Sequence, residues 1–314
     1  MKLSKLLRCA FLPLLALAFS AAAQQDYKYL EKLETPYVPT NQPTVDAMLR
    51  IANVGPGDVV IDLGSGDGRI LITAAKYHGA RGFGVDLDQQ LVRESLDNAK
   101  AAGVADRVQF HARDLFETKI SEATVVTMYL LPHVNLKLRP RLFAELKPGT
   151  RIVSHDFGMG DWKADIEAGV RGSGSRIFFW IIPAQVGGRW SLSIVQPRGG
   201  RPYEVTLQQK HQEIDGSARN DGKPWHLRDA RLEGDRISFT LIDDADYNHV
   251  QRFEGRVNGN IIEGTVRGEG SAPRASSQWR ATRSLPGLSP TSSLNKTALE
   301  KNAKASSKSD RLLR

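Results

Sequence analysis

Val59–Ile70 reads VVIDLGSGDGRI. Val59, Val60, Ile61 and Leu63, interrupted by Asp62, are followed by glycine at every second position and then by a second apolar run from Ile70. That order predicts a strand, a tight loop and a helix. Gly64, Gly66 and Gly68 allow positive φ and let the backbone pass close to a ligand. Loop amides at the start of a helix form a concave site for a polar group.

The charges around the loop narrow the choice of ligand. In the dinucleotide fingerprint G-x-G-x-x-G the third glycine falls where this chain has Arg69. Asp62 precedes the loop and Asp67 lies inside it, so a pyrophosphate would meet two carboxylates. S-adenosylmethionine carries an ammonium and a sulfonium and no phosphate, which suits acidic surroundings. The stretch resembles motif I of the class I S-adenosylmethionine-dependent methyltransferases.

A second strand, Gly82–Val85, ends at Asp86, with Leu87 and Asp88 just beyond. An acidic residue some twenty positions after a glycine loop binds the two hydroxyls of a ribose. A third strand, Arg107–Ala112, runs into Arg113, Asp114 and Leu115. The resemblance implies that Asp114 receives an adenine amino group. The expected cofactor-binding set is therefore Asp62, Gly64, Ser65, Gly66, Gly68, Asp86, Leu87, Asp114 and Leu115.

Helical periodicity over Ile70–Tyr77 and Gln90–Ala102 separates these strands. Ala123–Leu130 is a continuous apolar fourth strand, Leu136–Glu145 a helix and Thr150–Ser154 a fifth strand. The alternation predicts an α/β fold: a Rossmann-like, doubly wound, mostly parallel sheet. Asp62, Asp86, Asp114, Tyr129 and His155 all fall at strand ends, where such sheets bind ligands, and are expected to border one crevice.

Upstream, residues 1–23 carry Lys2, Lys5 and Arg8, an apolar run from Cys9 to Phe19, and Ala21–Ala23. That is the layout of a secretory signal peptide, implying a periplasmic or secreted protein. An uncleaved inner-membrane anchor, or a cytoplasmic protein, is the alternative. In the segment that follows, Pro36-Tyr37-Val38-Pro39-Thr40 is extended, and Thr44 is the expected N-cap of a helix through Ala52.

PYVPT, VIDLGSGDGRI, GFGVDLD, ARDLF and ELKPGTRIVSHDF occur together in this order over residues 34–162. The combination resembles the protein-lysine methyltransferases whose members modify the adenine nucleotide translocase and the ATP synthase c-subunit. More loosely it is similar to the non-SET nucleosomal histone lysine methyltransferases. The resemblance implies that Pro36–Pro39 border an acceptor channel, and that the substrate is a protein or peptide with lysine as acceptor. Methyl transfer needs alignment and a deprotonated nucleophile rather than a covalent enzyme intermediate. Tyr37 and Tyr129 are the catalytic candidates, with His133 and His155 as further candidates; for His155 a hydrogen-bonded structural role is the preferred reading. Leu131-Pro132-His133-Val134 stands where amino-methyltransferases of nucleic-acid bases carry [DNS]-P-P-Y, which argues against adenine or cytosine as acceptor.

Residues 156–175 read as a loop and Arg176–Pro183 as a sixth strand. Arg189–Gln196 either finishes this sheet or begins the next unit. From Tyr203 to Thr282, seven short strands without helices predict a small antiparallel barrel or sandwich, with Asp215-Gly216 among its turns. Residues 284–314 are rich in Ser, Lys and Ala and predict disorder, with membrane-surface contact as an alternative. The expected units are a signal peptide at 1–23, a methyltransferase domain at 24–188, a β domain at 189–283 and the tail at 284–314.

The formal charge of +8 falls by three without residues 1–23 and by four without 284–314, leaving +1 on the body. A near-neutral body argues against a nucleic-acid partner. Beyond Cys9 there is no cysteine, which excludes disulfides, thiol nucleophiles and thiolate metal sites from the body. Two further functions are compatible with the pattern: methylation of a small molecule, and an exported, non-catalytic binding protein. Oligomeric state is not legible.

Overall fold

The computed structural model describes residues 37–195, 201–272 and 275–284. The predicted signal segment, and the predicted tail beyond its first residue, lie outside the described residues.

The first unit contains helices α1 (Gln42–Ile51), α2 (Arg69–His78), α3 (Gln89–Ala101) and α4 (Pro132–Glu145). Its strands are β1 (Val59–Leu63), β2 (Arg81–Asp86), β3 (Val108–Ala112), β4 (Val125–Met128), β5 (Arg151–His155), β6 (Ile166–Gly169) and β7 (Arg176–Ile181). They form one sheet in the order β3-β2-β1-β4-β5-β7-β6. The first five are parallel, and β7 runs antiparallel to both β5 and β6.

Strand alternation divides the core between the two faces of the sheet. Val60 packs with Met48, Leu71 and Val92 from α1, α2 and α3, whereas its neighbour Ile61 packs with Leu138 and Leu142 of α4. All four residues of β4 are buried, as a strand covered on both faces requires.

Several boundaries differ from the sequence reading. Asn41, not Thr44, caps α1: its Oδ1 accepts from the Thr44 amide at 3.0 Å, and Pro43 occupies the first turn. α4 starts at Pro132, four residues early, because proline is well suited to a first helical turn. Ile166–Gly169 lies in the segment read as loop, yet pairs with β7; its mostly exposed residues carry no apolar periodicity to announce it.

The second unit is a closed barrel of β8 (Gly188–Ile194), β9 (Tyr203–Lys210), β10 (Glu213–Asn220), β11 (Lys223–Glu233), β12 (Arg236–Asp243), β13 (His249–Asn258), β14 (Ile261–Gly270) and β15 (Ser276–Arg283). Arg189–Ile194 therefore belongs to the barrel and Arg176–Ile181 to the sheet. Trp190, Phe239, Phe253 and Trp279 fill its interior, as expected when eight strands leave room for side chains alone. Asp215-Gly216 is not a turn but the middle of β10. An added Cβ at Gly216 would lie 2.2 Å from the Thr206 carbonyl, so the glycine serves close strand approach. The turns on either side of β10 fall at His211-Gln212 and Asp221-Gly222, with positive φ at His211 (57°), Asp221 (51°) and Gly222 (74°).

The units are locked together at one barrel end. Trp162, buried beside Phe143 and Trp180, donates its Nε1–H to Gln212 Oε1 at 2.8 Å. Gln212 Nε2 donates to the Lys163 carbonyl, also at 2.8 Å.

Candidate active site

β1 ends in the loop Gly64–Gly68, which is stitched to β2 by the Gly64 and Ser65 amides, both donating to the Val85 carbonyl at 2.9 Å. Gly66 has φ of 53°, and an added Cβ there would come within 2.5 Å of the Tyr37 ring. The loop and the C-terminal ends of β2, β3 and β4 border a cavity of about 580 Å³. That size lies within the roughly 300–1,000 Å³ of small-molecule sites.

Gly64, Ser65, Gly66, Asp86 and Leu87 line this cavity from one side, and Asp114 and Leu115 from another. Tyr37 and Tyr129 complete its rim. Asp62, Gly68 and His155 are not on the wall, although the sequence reading placed the first two among the cofactor contacts and set Asp62 and His155 on the crevice. Gly68 starts α2 in the left-handed region, and an added Cβ would strike Phe110 at 2.6 Å, so it packs inward.

Asp62 is buried behind the loop. The Thr127 hydroxyl donates to its Oδ1 at 2.6 Å, and Oδ2 has no partner among the described residues. Burial pushes its carboxyl up to about 7; the Thr127 hydrogen bond opposes this, and the Asp86 and Asp67 charges add to it.

Asp67 is neutralised by Arg69, which donates to its Oδ1 from Nε at 2.9 Å and to its Oδ2 from Nη2 at 2.5 Å. The two acids used to argue against a pyrophosphate are thus a carboxyl with a raised pKa and a paired one. The acidic character of the wall rests instead on Asp86, Asp88, Asp114 and Glu117.

Asp86 is held in place by the Gly66 amide on Oδ2 at 2.9 Å and the Asp88 amide on Oδ1 at 3.0 Å. Each oxygen retains a lone pair for a ligand hydroxyl. Burial raises its pKa, and the backbone hydrogen bonds pull it back. Asp114 Oδ1 accepts from the Phe116 amide at 2.8 Å, fixing the turn after β3.

Ser65 contributes to the wall, but its Oγ is buried toward β2, where a Cβ on Gly84 would lie 2.7 Å from it, and has no hydrogen-bond partner among the described residues. The glycine cradle at Gly64 and Gly66 and the remaining lone pairs of Asp86, all on the wall, fit a polar ligand in this cavity.

The Tyr37 phenol is raised by burial and by the Asp67 charge, and that of Tyr129 by burial and Asp156. The Tyr129 ring lies 3.8 Å from that of His155. Burial lowers the His155 pKa against the opposing charge of Asp156.

Sequence reasoning missed Arg69, Thr40 and Lys137 as wall residues. Arg69 clasps Asp67 two residues away, but its bond to the Thr40 carbonyl, 29 positions upstream, forms only where the segment before α1 crosses the loop. Lys137 sits over the Phe116 ring at 4.2 Å, a contact between distant segments with no local signal.

A parallel sheet with reversed β7, a glycine loop after β1 and carboxylates at the ends of β2 and β3 define a class I S-adenosylmethionine-dependent methyltransferase, with S-adenosylmethionine as its cofactor. The family model of the ANTKMT methyltransferase domain matches residues 62–166. The chain is 51% identical over 128 residues to a protein-lysine N-methyltransferase of Saccharolobus islandicus, covering 40% of this chain and 80% of that protein. It is 31% identical over 182 residues to the lysine N-methyltransferase of the ATP synthase c-subunit from Mus musculus, covering 58% of this chain and 68% of that protein. The chain belongs to this protein-lysine methyltransferase family. A crystal structure described as an RNA methyltransferase from Salinibacter ruber with S-adenosyl-L-homocysteine shares 56% identity, covers 48% of this chain and 96% of that one, and superposes with a TM-score of 0.46.

Proposed function

We propose that the protein methylates the side-chain amine of lysine in a protein substrate. The observation that carries this reading is the 51% identity to a protein-lysine N-methyltransferase, over a stretch equal to 80% of that relative. The absence of a [DNS]-P-P-Y stretch and the near-neutral body support protein over nucleic acid.

Bound S-adenosylmethionine supplies an electrophilic methyl group. Asp86 receives the ribose hydroxyls, Asp114 the adenine amino group, and the loop around Ser65 and Gly66 the polar end of the amino-acid portion. Leu87 and Leu115 flank them on the wall. Asp62 acts from behind the loop rather than by contact. Tyr37 and Tyr129 border the acceptor side, where their rings orient the lysine side chain. A lysine ammonium must lose its proton before it can attack. Both phenols keep their protons at neutral pH and serve as hydrogen-bonding groups that pass the proton to water.

The test is incubation of the full chain with isotopically labelled S-adenosylmethionine and, separately, lysine-rich proteins, small amines and RNA, followed by mass spectrometry. Label on lysine side chains is expected; label on RNA or metabolites alone contradicts the reading. The order of residues 1–23 supports export, and cell fractionation tests it.

A further inference from the structure

Residues 37–40 cross the glycine loop, and of the four only Thr40 is buried. Val38 is 55% exposed, so the specific contacts that hold the segment are those of Tyr37 and Thr40. At one end the Tyr37 ring lies against Gly66. At the other, Thr40 is held from two sides. Its carbonyl accepts from Arg69 Nη1 at 3.0 Å, and its hydroxyl is hydrogen-bonded to His155 Nδ1 at 3.1 Å.

His155, at the end of β5, is itself buried, and its Nε2 is hydrogen-bonded to Ser175 Oγ at 2.9 Å. Ser175 lies in the turn that leads into β7. Neither His155 nor Ser175 touches the cavity, and neither has a step in the chemistry. Lifting residues 37–40 would strand a buried ring nitrogen, which opposes the motion. Both Tyr37 and Thr40 form part of the cavity wall, so a ligand leaving on that side has to displace them.

We propose that Thr40, His155 and Ser175 form a latch that holds residues 37–40 across the cofactor pocket and sets the rate at which cofactor product leaves. His155 and Ser175 are then positioning residues, acting through Thr40. The proposal rests on the assignment of this cavity to S-adenosylmethionine and its product S-adenosylhomocysteine.

The experiment is stopped-flow release of S-adenosylhomocysteine from the full-length protein, with melting temperatures recorded in parallel. Thr40→Val keeps the side-chain shape but removes the hydroxyl, and is expected to speed release about tenfold. Thr40→Ser restores the wild-type rate. Ser175→Ala, remote from the cavity, is expected to speed release about threefold by loosening His155. It also decides the matter should Thr40→Val not fold. Wild-type release rates in both Ser175→Ala and any folded Thr40→Val, whatever their melting temperatures, overturn the latch. Failure of the wild-type protein to bind S-adenosylhomocysteine overturns the cofactor assignment instead.

Discussion

The Thr127 hydroxyl donates to the Asp62 carboxyl at 2.6 Å, joining the neighbouring strands β4 and β1 directly behind the glycine loop. It is the one hydrogen bond that carboxyl accepts among the described residues, and the second oxygen is left bare in a fully buried position. A carboxylate so placed resists ionisation.

The consequence is a pH-dependent stability of unusual sign for an aspartate. The folded-state value of about 7 lies above the ordinary 3.8, so between these limits the folded protein holds a proton that the unfolded chain has released. Stability of the ligand-free protein is therefore expected to fall as pH rises from about 4 to 7, by up to roughly 4 kcal/mol from this group. Asp62→Asn mimics the protonated side chain and is expected to flatten the curve. Melting temperatures across that range provide the check, and parallel curves for the two proteins would contradict it.

Asp86→Ala is expected to weaken S-adenosylhomocysteine binding by well over tenfold, because it removes a charged acceptor fixed by two amides. Isothermal titration measures this directly. An unchanged affinity would mean that the ribose lies elsewhere.

Gly66→Ala places a Cβ against the Tyr37 ring at a backbone φ of 53°. The left-handed conformation alone costs of order 1–3 kcal/mol for a non-glycine residue, and the clash pushes Tyr37 off the loop. Reduced cofactor affinity is expected, with part of the loss recovered when Tyr37→Ala is added. A double-mutant cycle with no coupling between the two positions would refute the contact.

Gln212→Ala leaves the Trp162 indole N–H and the Lys163 carbonyl without their partner from the barrel. A loss of about 1–3 kcal/mol is expected for the buried indole donor. Chemical denaturation followed by tryptophan fluorescence reads the change. Stability equal to wild type would show that the barrel end does not brace the Trp162 loop.

The sheet was legible because short apolar strands alternate with helical periodicity and the first two are closed by glycine-rich or acidic turns, as in VVIDLGSG and GFGVD. The pocket wall followed from those turns, and Gly64, Ser65, Gly66, Asp86 and Asp114 meet there. Strand-end position alone did not separate wall residues from those behind it. Asp62 faces Thr127 of the adjacent strand, and His155 turns to Thr40 and Ser175, contacts across 65, 115 and 20 positions of sequence. β6 stayed hidden because its pairing to β7, not its own composition, makes it a strand. Gly216 misled for a related reason: Asp-Gly is a turn signal, but here the missing Cβ admits the neighbouring strand.

The most direct test of the central claim is a crystal structure of the full chain with S-adenosylhomocysteine. The ribose hydroxyls are predicted on Asp86, the adenine amino group at Asp114, and the Tyr37 ring beside the ligand over Gly66. A cavity left empty at saturating ligand, or one that instead takes up a nucleotide diphosphate, would contradict the account.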